Sequence, residues 1–241
     1  SVLKWYSSLT LSPLTVRLRK SVVLSYLVWL ADNTNGHIPA LPAAIKALAK
    51  TKTPLYQPLG EYPPRADVEK LLALPNLHKW KGKRDICILS LLYSTLRVGE
   101  VAHLQEADLH IDEGYLLVRE GKRNKDRRIP LLIKPILGPL LEERLRVYLS
   151  LPYRPKHSLF GVSISRIRDL CHIYCAQAGL RYWHPHAFRK AGATELAKAH
   201  IALPVISKLL GHTNLMTTQR YVLISDLDMT EALADDQKQV S

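Results

Sequence analysis

Four prolines fall within eleven residues, at Pro54, Pro58, Pro63 and Pro64. Each fixes its φ and lacks a backbone donor, so neither a helix nor a central strand can run through the tract. The stretch "TKTPLYQPLGEYPP" is also nearly free of apolar periodicity and reads as an extended, semi-rigid connection. The chain is therefore expected to fold in two pieces: a helical domain at 1–52, a linker at 53–64 and a larger domain at 65–241. With 241 residues, 47% of them hydrophobic, a sizeable core is within reach. No run approaches the roughly 18–20 apolar residues of a membrane span, and Val22–Leu30 is too short with the wrong flanks for a signal peptide.

Periodicity assigns the elements. Residues 12–31 look helical, with Ser12 as N-cap and Pro13 in the first turn. A short helix is expected at Leu41–Ala49, then Ala66–Leu74 and Lys83–Leu104. The last of these carries Ile86, Leu89, Leu92, Tyr93 and Leu96 on one face. The period then changes to two. "LHI", "YLLVR" and "RRIPLL" are short strands separated by the turns "DEG" and "GKRNKD", which gives a small antiparallel sheet. From Lys134 the pattern is helical again, at about 136–149, 163–178, 186–199, 204–210, 217–223 and 227–234, with Gly211 at a helix C-cap. The fold class is thus mainly α with a small antiparallel β-sheet.

A net charge of +13 favours a polyanionic partner, with nucleic acid the commonest. Residues 1–56 hold seven Lys/Arg, among them Arg17, Arg19 and Lys20, against one acid. A second cluster, 119–128, contains Arg119, Lys122, Arg123, Lys125, Arg127 and Arg128. Two separated basic clusters suit a protein that wraps a duplex. There are three cysteines, an odd and low count that argues for a reducing compartment, the cytoplasm, and against a disulfide framework. Cys171 and Cys175 are spaced to ligate a metal, but they continue an apolar stripe with Ile164, Ile167, Leu170, Tyr174 and Ala178. Core packing is the reading for both.

Four segments carry candidate chemistry: "STLRVGEV" with Arg97, "GKRNKDR" with Lys122, "HAFR" with His186 and Arg189, and "LLGHTNLMTTQRY" with His212 and Tyr221. Singly, each has a plain explanation. Arg97 and Glu100 could be a surface ion pair, and His186 and Arg189 could decorate a helix start. Yet Arg97 sits in an otherwise apolar segment, where a guanidinium is costly to bury alone. Helical spacing also lets His186 and Arg189 address one ligand. Together these side chains could surround a phosphate, which arginine forks bind bidentately.

In this order and at these distances, the four segments resemble the tyrosine recombinases, the phage integrase and Xer-type family. That family carries an arginine in "TGLR-x-x-E-L", a lysine in a "GKGNKER" β-turn, an "H-x-x-R" pair, and "LLGH" nine residues before a nucleophilic tyrosine. The resemblance spans roughly residues 60–225, and "LSPLTVRLRKSVVLSYLVWLADNTNGHIPALPAAIK" also resembles the second half of the family's core-binding domain. Ser94-Thr95 replaces Thr-Gly, Arg123 replaces a glycine in the turn, and Lys190 stands where a histidine is common. None of these removes a catalytic side chain. A complete core-binding domain would need several tens of residues before Ser1, so the chain reads as N-terminally truncated.

The resemblance implies a catalytic set of Arg97, Lys122, His186, Arg189, His212 and Tyr221, with Glu100 holding Arg97. It implies a site-specific recombinase that cleaves and rejoins duplex DNA through a 3′-phosphotyrosine, as a tetramer on DNA, with an accessory directionality factor as a further candidate partner. No cofactor and no metal are implied, and no membrane. Residues 226–241 would be an assembly tail. Arg17, Arg19, Lys20, Arg123 and Lys125 are the expected DNA contacts. Two rivals are a type IB topoisomerase-like nicking-resealing enzyme and a DNA-binding module without catalysis.

Overall fold

The computed structural model describes residues 13–34, 38–51, 61–119, 126–133, 136–137, 140–152, 155, 158–212 and 218. The chain divides into two compact units, Ser1–Leu59 and Gly60–Ser241. Most of the expected linker, and the expected cap Ser12, lie outside the described residues.

In the first unit, α1 (Pro13–Asn33) packs on α2 (Leu41–Lys50). Their small core is Leu27, Leu41 and Leu48, with Val23, Leu24, Leu30, Ala31 and Ile45 partly buried against it. The Lys20 ammonium donates to the carbonyls of Ala49 and Thr51, at 3.2 and 2.5 Å. It thereby satisfies acceptors that the end of α2 leaves open, and a cation suits that end of the helix dipole. Arg19 is exposed, and the side chain of Arg17 lies outside the described residues.

The second unit is built around α4 (Trp80–Tyr93). Its sequence suggests one apolar face, but the helix is enclosed on nearly every side: Ile86, Cys87, Ile88, Leu89, Leu91 and Leu92 are all buried. α3 (Arg65–Ala73), α6 (Leu140–Leu149), α7 (Ile164–Gln177) and α8 (Pro185–Lys198) pack on it. A helix that is apolar all round belongs at a domain centre. Cys171 and Cys175 are buried in the stripe of α7, and burial pushes the Cys171 thiol up to about 12, as expected of packing residues.

One expected helix is two. Residues 83–104 do not continue unbroken: α4 ends at Tyr93 and α5 (Val98–His103) starts afresh. The break is at Thr95, whose φ of 77° stops helix propagation. The helix expected from Ile136 begins only at Leu140, after a turn at Ile136 and Leu137.

Strands β1 (Leu109–His110), β2 (Tyr115–Val118) and β3 (Arg127–Pro130) form an antiparallel sheet in sequence order. Leu116 pairs with Ile129 and Val118 with Arg127. α9 (Leu203–Leu210) packs on α8 and β3 and ends at Gly211, whose φ of 60° is the left-handed cap expected of glycine. Among the described residues no helix is long and apolar enough to cross a membrane.

Candidate active site

The break after α4 makes the first part of the site. It places Arg97 as the N-cap of α5 rather than inside a helix. Glu100, in the first turn, accepts from the Arg97 backbone N at 2.7 Å and from Arg97 Nη1 at 2.8 Å. One carboxylate thus satisfies an orphan helix donor and orients the guanidinium. The Arg97 side chain keeps 42% of its surface exposed, so it can still meet a ligand. Its Nη2 donates to the Gly211 carbonyl at 3.0 Å.

α8 supplies the second part. His184 caps the helix, Pro185 opens it, and His186 and Arg189 follow within its first two turns. His186 keeps an exposed edge, with the ring of His184 stacked 6.3 Å away. Arg189 lies at the floor, 1% exposed. It donates to the carbonyls of Thr95 and Leu210, and Nη1 is 3.8 Å from Glu100.

The end of α9 closes the site. His212 follows Gly211 directly, and its Nδ1 is 2.9 Å from the hydroxyl of buried Thr218. Whichever of the two donates, that contact fixes the ring and its tautomer, so that Nε2 takes the complementary role. Burial, then the charges of Arg189 and Arg97, lower the His212 pKa to about 4. Burial, then Lys190 and Arg189, lower that of His186 to about 4 as well. Both imidazoles are therefore neutral at neutral pH, able to give or take a hydrogen bond beside two permanent cations.

Arg97, Glu100, His186, Arg189 and His212 thus converge, although up to 115 residues separate them in the chain. Lys122, Arg123, Lys125 and Tyr221 lie outside the described residues, as do 226–241.

A further arginine belongs to the same cluster. Arg127, counted above among the basic residues suited to a duplex, is 5% exposed. Its Nη2 donates to Glu100 at 2.7 Å and its Nε to the Leu209 carbonyl at 3.0 Å. Burial alone would raise the Glu100 carboxyl, but hydrogen bonds and charge from Arg127, then Arg97, outweigh it and hold the pKa below its ordinary value. The signal for Arg127 was available in the alternation of β3. If Ile129 faces inward, Arg127 two residues earlier shares that face. Arg119 and Arg128 of the same basic run point outward. Arg119 pairs with Asp108 at 2.6 Å, and Arg128 stacks 4.5 Å from the Tyr115 ring. Among the described residues no three His, Cys, Asp or Glu side chains gather as a metal site.

Residues 64–227 match the model of the phage integrase family. The chain belongs to that family. Among curated phage integrase relatives, it is 33% identical over 175 residues to a tyrosine recombinase of Pseudothermotoga lettingae, covering 70% of this chain and 58% of that protein. It is 34% identical over 158 residues to the tyrosine recombinase XerA of Pyrococcus furiosus, covering 62% and 54%. It is 31% identical over 227 residues to the tyrosine recombinase XerC of Thermodesulfovibrio yellowstonii, covering 87% and 71%. The chain thus spans little more than half the length of the first two relatives. A crystal structure of XerA recombinase superposes with a TM-score of 0.62 at 21% identity, over 94% of this chain and 84% of that one. XerH site-specific recombinase bound to a palindromic difH substrate gives 0.59 at 18%, over 89% and 71%. These likenesses show the fold, that of tyrosine recombinase catalytic domains.

Proposed function

We propose that this chain is a site-specific DNA recombinase that cleaves and rejoins duplex DNA through a phosphotyrosine intermediate. The observation that carries the reading is the convergence of Arg97, Arg189, His186 and His212 on one site, in a family whose relatives are named tyrosine recombinases. In the proposed reaction the Tyr221 oxygen attacks a DNA phosphorus and the bond to the 5′-oxygen breaks. The products are a 3′-phosphotyrosine and a free 5′-hydroxyl. Attack by the strand's new partner reverses the step, and because each ester replaces another, no external energy source enters.

Each residue has a task in that step. A phenol with a pKa near 10 is a poor nucleophile at neutral pH. A neutral His186 or His212 can accept its proton. The phosphorane-like transition state gathers charge on its non-bridging oxygens. Arg97 meets that charge directly, and Arg189 supplies its own from the floor of the site. Lys122 protonates the departing 5′-oxygen. Arg19, Arg123 and Lys125 serve as backbone contacts, which position the duplex without reading its sequence. The first unit acts as part of a DNA-binding domain. The relatives' names favour exchange between two duplexes over resealing of one. Three buried, free cysteines fit a reducing, DNA-containing compartment such as the cytoplasm.

Assembly as a tetramer on DNA is part of the proposal. Leu132, Ile133, Leu196, Ile201, Val205 and Leu209 line an apolar groove of about 310 Å³ on the second unit. The tail's Leu227, Met229 and Leu233 are an apolar set that needs such a groove.

The test is covalent trapping. Randomly nicked genomic DNA from the organism that encodes the chain is incubated with the protein, and adducts that survive detergent are recovered and sequenced. Wild-type protein is expected to yield adducts at a recurring sequence, with Tyr221 carrying the nucleotide by mass spectrometry. Tyr221→Phe, which loses only the phenolic oxygen, is expected to bind the recovered duplex equally and to form none. Adduct from that variant at the wild-type level would mean another nucleophile.

A further inference from the structure

Three successive carbonyls at the end of α9 are each received by a different arginine. Leu209 O accepts from Arg127 Nε at 3.0 Å, Leu210 O from Arg189 Nη2, and Gly211 O from Arg97 Nη2 at 3.0 Å. The three arginines come from β3, from α8 and from the break between α4 and α5. The last carbonyls of a helix have no partner within it, and that end carries the negative pole of the helix dipole. The next residue is His212. The placement of that imidazole therefore depends on how the end of α9 is held.

Arg127 differs from the other two. It is 5% exposed, whereas the Arg97 side chain stays 42% exposed toward a ligand, and it hydrogen-bonds Glu100, from which Arg189 Nη1 stands 3.8 Å away: Nη2 to Glu100 Oε2 at 2.7 Å, Nε to Leu209 O. Glu100 in turn holds both the backbone and the side chain of Arg97. A single planar guanidinium thus ties the support of Arg97 to the support of His212. We propose that Arg127 is a positioning residue for strand cleavage, one that clamps the end of α9 to the Glu100–Arg97 pair and so fixes His212 against Arg97. The inference rests on the function proposed above. It extends that function to Arg127, the last residue of the "GKRNKDR" segment, for which the resemblance implied no role.

Lysine cannot replace it. An ammonium keeps the charge but lacks the fork that reaches a carboxylate and a carbonyl along separate N–H directions. Removing the cation altogether leaves Glu100 with less compensation for its burial.

The test compares Arg127→Lys and Arg127→Ala with wild type, under conditions where thermal melts show each protein folded. The first readout needs no activity: an NMR titration of the His212 ring. In both variants its pKa is expected to rise from about 4 toward the ordinary histidine value: in Arg127→Ala a nearby cation is lost as well, whereas in Arg127→Lys, which keeps the charge, the rise comes from the loosened end of α9 exposing the ring. The second readout is single-turnover cleavage of the duplex recovered by trapping. It is expected to fall roughly 10–100-fold, as for other supporting partners of a reactive group, with the dissociation constant for DNA nearly unchanged. Adding Glu100→Gln to Arg127→Ala should recover part of any lost thermal stability, since the buried charge that Arg127 balanced is then gone, but not cleavage, because Arg97 loses an acceptor that holds it. An unmoved His212 titration in folded Arg127→Lys overturns the inference. So does a loss of binding in proportion to cleavage. Absence of any wild-type adduct would instead overturn the proposed function, and the titration would still decide the role of Arg127.

Discussion

Thr95 is the residue on which most of the site turns, and it is strained. Its φ of 77° is one that a β-branched side chain rarely takes, and its buried hydroxyl has no hydrogen-bond partner among the described residues. Its carbonyl nevertheless receives Arg189. The related motif has glycine here, and the backbone shows why: only glycine adopts this turn freely. Holding such a residue costs on the order of 1–3 kcal/mol, against about 1 kcal/mol for the extra freedom glycine has when unfolded. Thr95→Gly is therefore expected to stabilise the protein by about 1 kcal/mol, a rise of roughly 2–4 °C in melting temperature, with cleavage retained. A lower melting temperature would show that packing of the threonine outweighs its strain. The histidines make a second prediction at this scale. Their folded pKa values, about 4 for both His186 and His212, lie below the unfolded value of about 6.5. Between those limits the unfolded chain binds more protons, so this contribution to stability is complete above about pH 6.5 and declines as pH falls toward 4. Melts from pH 7.5 to 4.5 should show that decline, and it should be shallower in a His186→Asn/His212→Asn variant. Identical slopes in the two proteins would contradict the assignment. The motif residues were legible because their chemistry is specific and their spacing is recognisable. Arg127 was legible only through the alternation of β3, because by composition a buried arginine and a surface one in a basic run are the same letter.

At the scale of elements, the site depends on how closely α8 approaches the end of α4. Gly192 makes that approach possible: a Cβ there would stand 1.8 Å from the Tyr93 carbonyl oxygen. Backbone atoms of a buried helix cannot move aside as a flexible side chain can. Gly192→Ala should therefore force the two helices apart and cost about 1–3 kcal/mol, as overpacking does. It should also slow cleavage, because Arg189 on α8 reaches the Thr95 carbonyl just beyond α4. Gly99→Ala is the control. Its Cβ would meet only the Ile164 side chain, at 3.9 Å, and its melting temperature should match wild type within a few degrees. Equal melting temperatures for the two variants would contradict the close approach. Helix existence was readable from the 3.6-residue period, and strand register from alternation. The break at Thr95 was not, because neither serine nor threonine is a helix stop by composition, and the apolar pattern runs on through Leu96. Nor could the pattern show that α4 is covered on nearly every side from Arg84 onward, since its second apolar face reads as ordinary core residues until the neighbours of α3, α6, α7 and α8 are known.

At the scale of the whole molecule, the proposed cleavage of DNA raises the matter of whether assembly orders the site. The chain divides into two compact units, Ser1–Leu59 and Gly60–Ser241. What couples copies of the chain could not be read from one sequence, because an assembly surface is apolar in the same way as a core. The groove of Leu132, Ile133, Leu196, Ile201, Val205 and Leu209 makes the matter concrete. Leu132 and Val205 are each 49% exposed, so the groove has room for an apolar occupant. It also borders the terminal turn of α9, where Leu209 lines it with its side chain while giving its carbonyl to Arg127. An occupant would therefore press on the helix that leads to His212. The tail 226–241 offers Leu227, Met229 and Leu233 on a segment too short to be stable alone. If that tail docks on a neighbouring subunit, partner binding and the order of the site are one event. Deleting residues 226–241 should then leave the folded monomer intact but abolish cooperative assembly on the recovered duplex, measured by sedimentation. Single-turnover cleavage should fall with it. A Val205→Lys substitution in the otherwise full-length chain should do the same by spoiling the groove from the other side. Mixing the two defective proteins adds the decisive arm, because each retains the half that the other lacks. Mixed subunits should recover a single tail-to-groove contact per pair and a fraction of the cleavage. A tail-deleted protein that still assembles with wild-type cooperativity would refute docking between subunits. Full cleavage by the tail-deleted protein without assembly would show that order at α9 needs no partner.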